Sequence, residues 1–194
     1  MGQSPWALTG FGIYRASAAS RAARRRGARN WWLFQAVFVL PTPQYMFAWR
    51  RVAVVMFGVK IGKRVLIRLG VRVTHPWNLT MGDYVWVADN VTLYSVAEIS
   101  IGLHSVISQE AYLCAGTHDY RDVTFPFVSA PIRIADECWV AARVFIGPGL
   151  DVGHAAVIGA GSIVTTNVEA ETIVVGNPAK FFGKRTAEMR AEQL

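Results

Sequence analysis

Four histidines can exchange a proton near neutral pH: His75, His104, His118 and His154. His118 stands apart because of the run around it, Cys114-Ala-Gly-Thr-His-Asp-Tyr120. An imidazole there can take a proton from a hydroxyl and pass it on, the task of a general base. Its neighbour Asp119 would orient the ring or bind an acceptor. The competing reading is a merely exposed, polar corner residue. The other three histidines read as surface positions. A histidine zinc site needs three converging ligands, two of them close in sequence. Here the separations are 29, 14 and 36 residues, so no metal is expected. Cys114 and Cys138 form neither a CxxC pair nor a disulfide framework, which points to a reducing, cytoplasmic setting.

A repeat must position these groups. From Ile61 onward a six-residue period starts at Ile61, Ile67 and Val73, then Met81, Val87 and Leu93, then Ile101, Ile107 and Leu113. After a gap it resumes at Ile134, Val140, Ile146, Val152, Ile158 and Val164. All fifteen positions are aliphatic or Met, and the next residue is Gly or Ala in nine. The fifth position is small or β-branched in thirteen, with Trp77 and Leu150 the exceptions. Each hexapeptide reads as one short strand and one corner, and three close a triangular coil. The aliphatic residue points inward, and the small residue beside it eases the turn. Five coils follow, at 61–78, 81–98, 101–118, 134–151 and 152–169, broken at 79–80, 99–100 and 119–133. A β-sandwich would alternate with period two instead. The fold expected is an all-β parallel β-helix.

His118 ends the third coil, and the largest insertion, 119–133, leaves directly after it. A loop on a rigid scaffold is a usual place for function. Three regions follow: a basic and apolar extension over 1–57, the β-helix over 58–176, and a tail over 177–194 with a short helix after the turn Gly176-Asn-Pro178.

Charge divides the chain. Residues 1–82 hold 13 Arg and Lys and no carboxylate, whereas residues 83–194 hold 7 basic and 13 acidic residues. Arg24-Arg-Arg26 comes without a nucleic-acid-binding motif, and the nearby aromatics cluster in an apolar run instead of interleaving with it. No nucleic acid is expected. The run Trp31–Leu40 is too short to span a bilayer, and Pro41 and Pro43 replace the small residues of a signal cleavage site. Trp31, Trp32, Phe34 and Phe38 beside arginines fit an anionic membrane surface. The alternative is a helical cap on the prism, whose open end needs cover.

The repeat, the His118-Asp119 loop and Gly176-Asn-Pro-Ala-Lys180 together resemble the hexapeptide-repeat O-acetyltransferases. The resemblance is nearest to the colanic-acid and exopolysaccharide biosynthesis branch and covers roughly residues 30–185. It is carried by His75-Pro-Trp-Asn-Leu79, Ser108–Tyr120, Pro131-Ile-Arg-Ile134, Trp139-Val-Ala-Ala142 and Val174–Lys180. It implies a left-handed coil, an exception to the usual right-handed crossover. A homotrimer is also implied, with acetyl-CoA as co-substrate in a groove between neighbouring prisms. His118 would be the base for direct acetyl transfer to a sugar hydroxyl, without an acyl-enzyme. Asp119, Ser95 and Trp139 would contact the acceptor. Ala141, Ala142, Gly159 and Ala160 would flank the pantetheine, and Lys180, Lys184 and Arg185 would meet the CoA phosphates. Ser95 and Ala97 stand where the family often carries Asn and an acid, and Glu110 replaces a Gly, so the acceptor contacts depart from the family's. An N-acyltransferase, a transferase using another acyl-CoA, and a non-catalytic or metal-binding prism are the alternatives.

Overall fold

The structure, a computed structural model, describes residues 27–186. The Arg24-Arg-Arg26 run and the last part of the expected C-terminal helix lie outside these residues.

Residues 27–34 form helix α1, which continues as a π-turn through Gln35–Val39. Helix α2 spans Phe47–Met56. The first coil is β1 (Lys60–Ile61), β2 (Leu66–Ile67) and β3 (Arg72–Val73). The second is β4 (Leu79–Met81), β5 (Trp86–Val87) and β6 (Thr92–Tyr94). The third is β7 (Ile99–Ile101), β8 (Val106–Ile107) and β9 (Tyr112–Cys114). A hairpin of β10 (Gly116–His118) and β11 (Phe127–Ser129) interrupts the winding. The fourth coil follows as β12 (Ile132–Ile134), β13 (Trp139–Val140) and β14 (Phe145–Ile146). The fifth is β15 (Asp151–Val152), β16 (Val157–Ile158) and β17 (Ile163–Val164). A partial sixth coil contains Val168, which bridges to Val152, and β18 (Thr172–Val175).

These strands stack into three parallel sheets, the faces of a left-handed β-helix. Face one is β1-β4-β7-β12-β15, face two runs from β2 to β18, and face three is β3-β6-β9-β14-β17. The register confirms the period read from sequence. Ile67 pairs with Val87, Val87 with Ile107, Ile107 with Val140 and Val140 with Ile158. The other two faces stack the predicted positions in the same way. Nearly all of these side chains are buried in one continuous apolar core.

The corners turn differently from the expectation. The residue that turns the chain is the fourth of the hexapeptide: Arg64, Tyr84, His104 and Glu137 hold φ between 50° and 58°. A left-handed residue with a side chain is disfavoured by roughly 1 kcal/mol. From the second coil onward the N–H donates to the coil beneath, as Tyr84 does to Lys63 O, His104 to Asp83 O and Glu137 to Leu103 O. The small second residue serves close stacking instead. A Cβ on Gly102 would lie 2.5 Å from the Ala135 carbonyl carbon.

The breaks at 79–80 and 99–100 are not loops. They lengthen face one, where Leu79, Ile99 and Ile132 stack as an extra inward column. The loop also begins earlier than expected, because β10 carries Gly116 to His118 out of the coil. At the C-terminus the expected helix is replaced, within the described residues, by β19 (Lys180–Lys184), which pairs antiparallel with β18. The last coil exposes a sheet edge, and this strand covers it.

The opposite end is capped by the two helices. Trp31 Nε1 donates to Val73 O, Gln35 Oε1 accepts from Val73 N, and Arg50 Nε donates to Ile67 O. These are backbone groups that no further coil reaches. The N-terminal segment is therefore a cap on its inner side, with Trp31, Gln35, Val39 and Arg50 buried.

Ile107→Ala, in the centre of the inward column, is expected to lower unfolding free energy by about 2–5 kcal/mol. Ser100→Ala on the outer side of face one is expected to stay within about 0.5 kcal/mol of the parent. Urea denaturation monitored by circular dichroism measures both.

Candidate functional site

Ala115 and Gly116 are buried where the chain leaves face three, and the coil does not continue directly past them. The hairpin forms instead, pairing Gly116 with Ser129, Thr117 with Val128 and His118 with Phe127. Gly116 is needed for close approach: a Cβ would meet Phe127 Cζ and Val96 Cγ2, each at 2.6 Å. Asp119 N donates to Pro126 O, and Phe125 N to Asp122 O, which closes the tip.

His118 is fixed on this hairpin by two rings. Phe125 stacks on the imidazole at 4.5 Å with an interplanar angle of 6°, and Phe127 meets it edge-on at 5.4 Å. His118 Nδ1 lies 3.0 Å from Phe125 O. A carbonyl only accepts, so Nδ1 carries the hydrogen and the lone pair is on Nε2. Nε2 has no hydrogen-bond partner among the described residues. His118 is exposed and borders a cavity of about 330 Å³, with Asp119, Cys114, Tyr120, Phe145 and Pro148 in its wall. Asp119 Oδ1 accepts from Arg121 N, which shapes the tip. Burial, with Cys114 close by, pushes the Tyr112 phenol up to about 12, so this tyrosine on face three remains protonated.

The corner between faces two and three holds a second set. Ala141 and Gly159 stack there, and their N–H groups donate to Ile158 O and Val174 O of the adjoining coils. The N–H groups of Ala142 and Ala160, one residue on, have no partner among the described residues. At the corner between faces one and two the equivalent N–H groups of Lys63 and Leu103 are capped by Asp83 and Asp136. Ala142 and Ala160 thus offer bare donors beside small side chains. Lys180 is exposed opposite Val175, whose side chain covers Gly159. Trp139 lies on the outer side of face two and donates from Nε1 to Ser108 Oγ at 2.9 Å.

Within one chain these sets are not together. The hairpin leaves at the corner between faces three and one, whereas Ala141, Ala142, Gly159 and Ala160 lie across face three. None of the four lines the His118 cavity.

Two expected site residues fall elsewhere. Ser95 is fully buried, and its hydroxyl accepts from His75 N and donates to His75 O. It fixes the turn below the hairpin and cannot touch an acceptor. Arg185 donates from Nη1 to Glu137 O and Ala155 O, at the corner between faces one and two. Its guanidinium is committed to backbone carbonyls away from the corner of Ala141, Ala142, Gly159 and Ala160. Phe125, Phe127, Phe145 and Pro148 were not singled out by sequence. Phe145 and Pro148 occupy outer repeat positions with no periodic signal, and the two loop phenylalanines gain their meaning only from the hairpin pairing. Among the described residues no three His, Cys, Asp or Glu side chains cluster to hold a metal.

No family model matches the chain. It is, however, 42% identical over 178 residues to WcaF of Escherichia coli (strain K12), assigned as a colanic acid biosynthesis acetyltransferase; the match covers 92% of this chain and 96% of that protein. A maltose O-acetyltransferase from Clostridium difficile 630 superposes with a TM-score of 0.75 at 23% identity, over 88% of this chain and 90% of that one. A hexapeptide-repeat acetyltransferase from Vibrio cholerae, solved with acetyl coenzyme A, gives 0.75 at 24% identity over 88% and 91%. The chain belongs to the hexapeptide-repeat acetyltransferases, with the colanic acid biosynthesis acetyltransferase as its near relative.

The two cysteines separate in reactivity. Burial pushes the Cys138 thiol up to about 11, whereas Cys114 is half-buried on the cavity wall. At pH 8 the Cys138 thiolate is therefore scarce as well as shielded. Iodoacetamide at that pH is expected to label Cys114 in the native protein and Cys138 only after unfolding, as peptide mass spectrometry would record.

Proposed function

We propose that the chain transfers the acetyl group of acetyl-CoA to a hydroxyl of a sugar or lipid-linked saccharide in the cytoplasm, as a homotrimer. The observation that carries this reading is the His118 imidazole. Its Nδ1 is held on Phe125 O, and its Nε2 is left without a partner beside the cavity. In the reaction the acceptor oxygen attacks the thioester carbonyl as Nε2 takes its proton. The tetrahedral intermediate collapses, the C–S bond breaks, and the imidazolium returns the proton to the departing CoA sulfur. No acyl-enzyme intervenes, and Cys114 serves as cavity wall. The acetyl-CoA complex of the Vibrio cholerae neighbour supports the donor, and the sugar acetyltransferase among the neighbours supports the acceptor class.

Asp119, in the cavity wall, would accept a hydrogen bond from the acceptor sugar. Trp139 would cover the bound donor or acceptor. The bare N–H groups of Ala142 and Ala160 suit the amide oxygens of pantetheine, and Lys180 suits a CoA phosphate.

The outer sides of the faces support the trimer. The outer side of face one is polar, with Lys60, Thr80, Ser100, Arg133 and Asp151 in register. The outer side of face two carries Trp86, Val106, Trp139, Val157 and Ile173. An apolar face of this kind marks an interaction surface, which on this reading a neighbouring copy covers. A neighbouring copy would bring its small-residue corner to the His118 hairpin and complete the site.

His118→Ala is expected to lower kcat by about 10²–10⁴-fold. The molar mass by light scattering should remain that of a trimer. The rate is read from acetyl-CoA-dependent thiol release across a panel of sugars and nucleotide sugars. Turnover near the parental rate would contradict the assignment of the base.

A further inference from the structure

The 13 Arg and Lys and zero carboxylates of residues 1–82 have no part in acetyl transfer at His118. Six of those arginines precede Trp31 in sequence, among them the exposed Arg29. The cap helices that follow them in sequence present a second surface. Helix α1 and its π-turn direct Trp31, Gln35 and Val39 at the prism, and their outer side leaves Trp32, Leu33, Val37 and Phe38 exposed. Helix α2 repeats the division, with Arg50, Ala53 and Val54 buried and Val52, Val55 and Met56 exposed. The helices are joined by Trp49 Nε1, which donates to Phe38 O, and by Phe34 packed against both Phe38 and Trp49. Trp32 is 57% exposed, Leu33 64% and Met56 65%, values unusual for such side chains in a folded cap.

We propose that this end of the prism docks on an anionic lipid bilayer. The apolar stripe would enter the boundary between headgroups and acyl chains, and the exposed Arg29 and Arg51 on the same two helices would meet lipid phosphates. Charge selects the occupant. Two copies meeting end to end would oppose like charge across the contact, because the surface has no acid to pair with. Nucleic acid would call for aromatics interleaved with the basic residues, whereas here they form a separate apolar stripe. The attachment is peripheral: α2 has 10 residues, and no helix among the described residues is long and apolar enough to cross a membrane. Since the cap closes the first coil, the prism would stand on the bilayer with its axis across the membrane plane. In the proposed trimer all three caps would then face the same surface, strengthening attachment through effective concentration. The inference goes beyond the acetyl-transfer reading and does not require it.

Flotation of the full chain with vesicles tests it, at physiological salt, with phosphatidylcholine alone or mixed with phosphatidylglycerol. The parent chain is expected to float with the mixed vesicles and to stay behind with phosphatidylcholine alone. Trp32→Ser with Leu33→Ser and Met56→Ser should reduce flotation by about tenfold or more. Their circular dichroism, molar mass and acetyl transfer to a soluble acceptor should stay at parental values, so the membrane and catalytic readings can fail separately. Three results would each overturn the proposal. The first is no flotation of the parent with either vesicle, and the second is undiminished flotation of the triple variant. The third is a fall in molar mass of that variant, which would assign the stripe to contacts between copies.

Discussion

Each coil of this protein must lie in register on the one below it. The inward aliphatic columns and the corner N–H groups that donate one coil down enforce the same register, since neither survives a shift along the strand. Residues with full side chains, such as Tyr84 and Glu137, can therefore occupy left-handed corners that would otherwise favour glycine. Once the register is set, the ends of the stack become the places where backbone groups lack partners. Trp31, Gln35 and Arg50 supply them at one end, and β19 does so at the other.

The same register fixes the chemistry in space. The hairpin leaves the third coil at one edge of face three, and the bare N–H groups of Ala142 and Ala160 lie at its other edge. A rigid prism cannot bend to bring them together. On the proposed reading, symmetry does this instead, because a neighbouring prism presents the complementary edge. The polar outer column of face one and the apolar column of face two are then one design: one face for water, the other for a partner. On the same reading, Phe125 illustrates how local structure would serve the reaction. It stacks on the imidazole and, through its own carbonyl, selects the tautomer with a free Nε2.

How much was legible in sequence depended on whether a residue's role was periodic. The fifteen aliphatic positions were readable because each repeats the same environment, and all of them stack as the period implies. The two-residue breaks were located correctly, but their effect was not, since a widened face and a loop look alike until the next coil is laid on top. His118 and Asp119 were singled out where the period fails, and both line the cavity there. Ser95 and Arg185 were placed by resemblance, and local packing claims them: the hydroxyl holds the His75 backbone, and the guanidinium ties β19 to two corner carbonyls. The C-terminal strand escaped notice because its partner, β18, is a strand edge that exists only once the sixth coil is begun. The N-terminal alternatives proved compatible, as one side of the helices caps the prism and the other faces solvent.

The central claim is that the two halves of the site belong to neighbouring copies. Subunit mixing tests it most directly, using one variant that lacks the proposed base, His118→Ala, and one whose proposed pantetheine corner is blocked, Ala142→Trp. Each alone should be inactive. Mixed oligomers carrying both are predicted to regain activity, because the hairpin of one copy meets the intact corner of the other. Mixed oligomers as inactive as the parents would contradict the account and place both halves within a single chain.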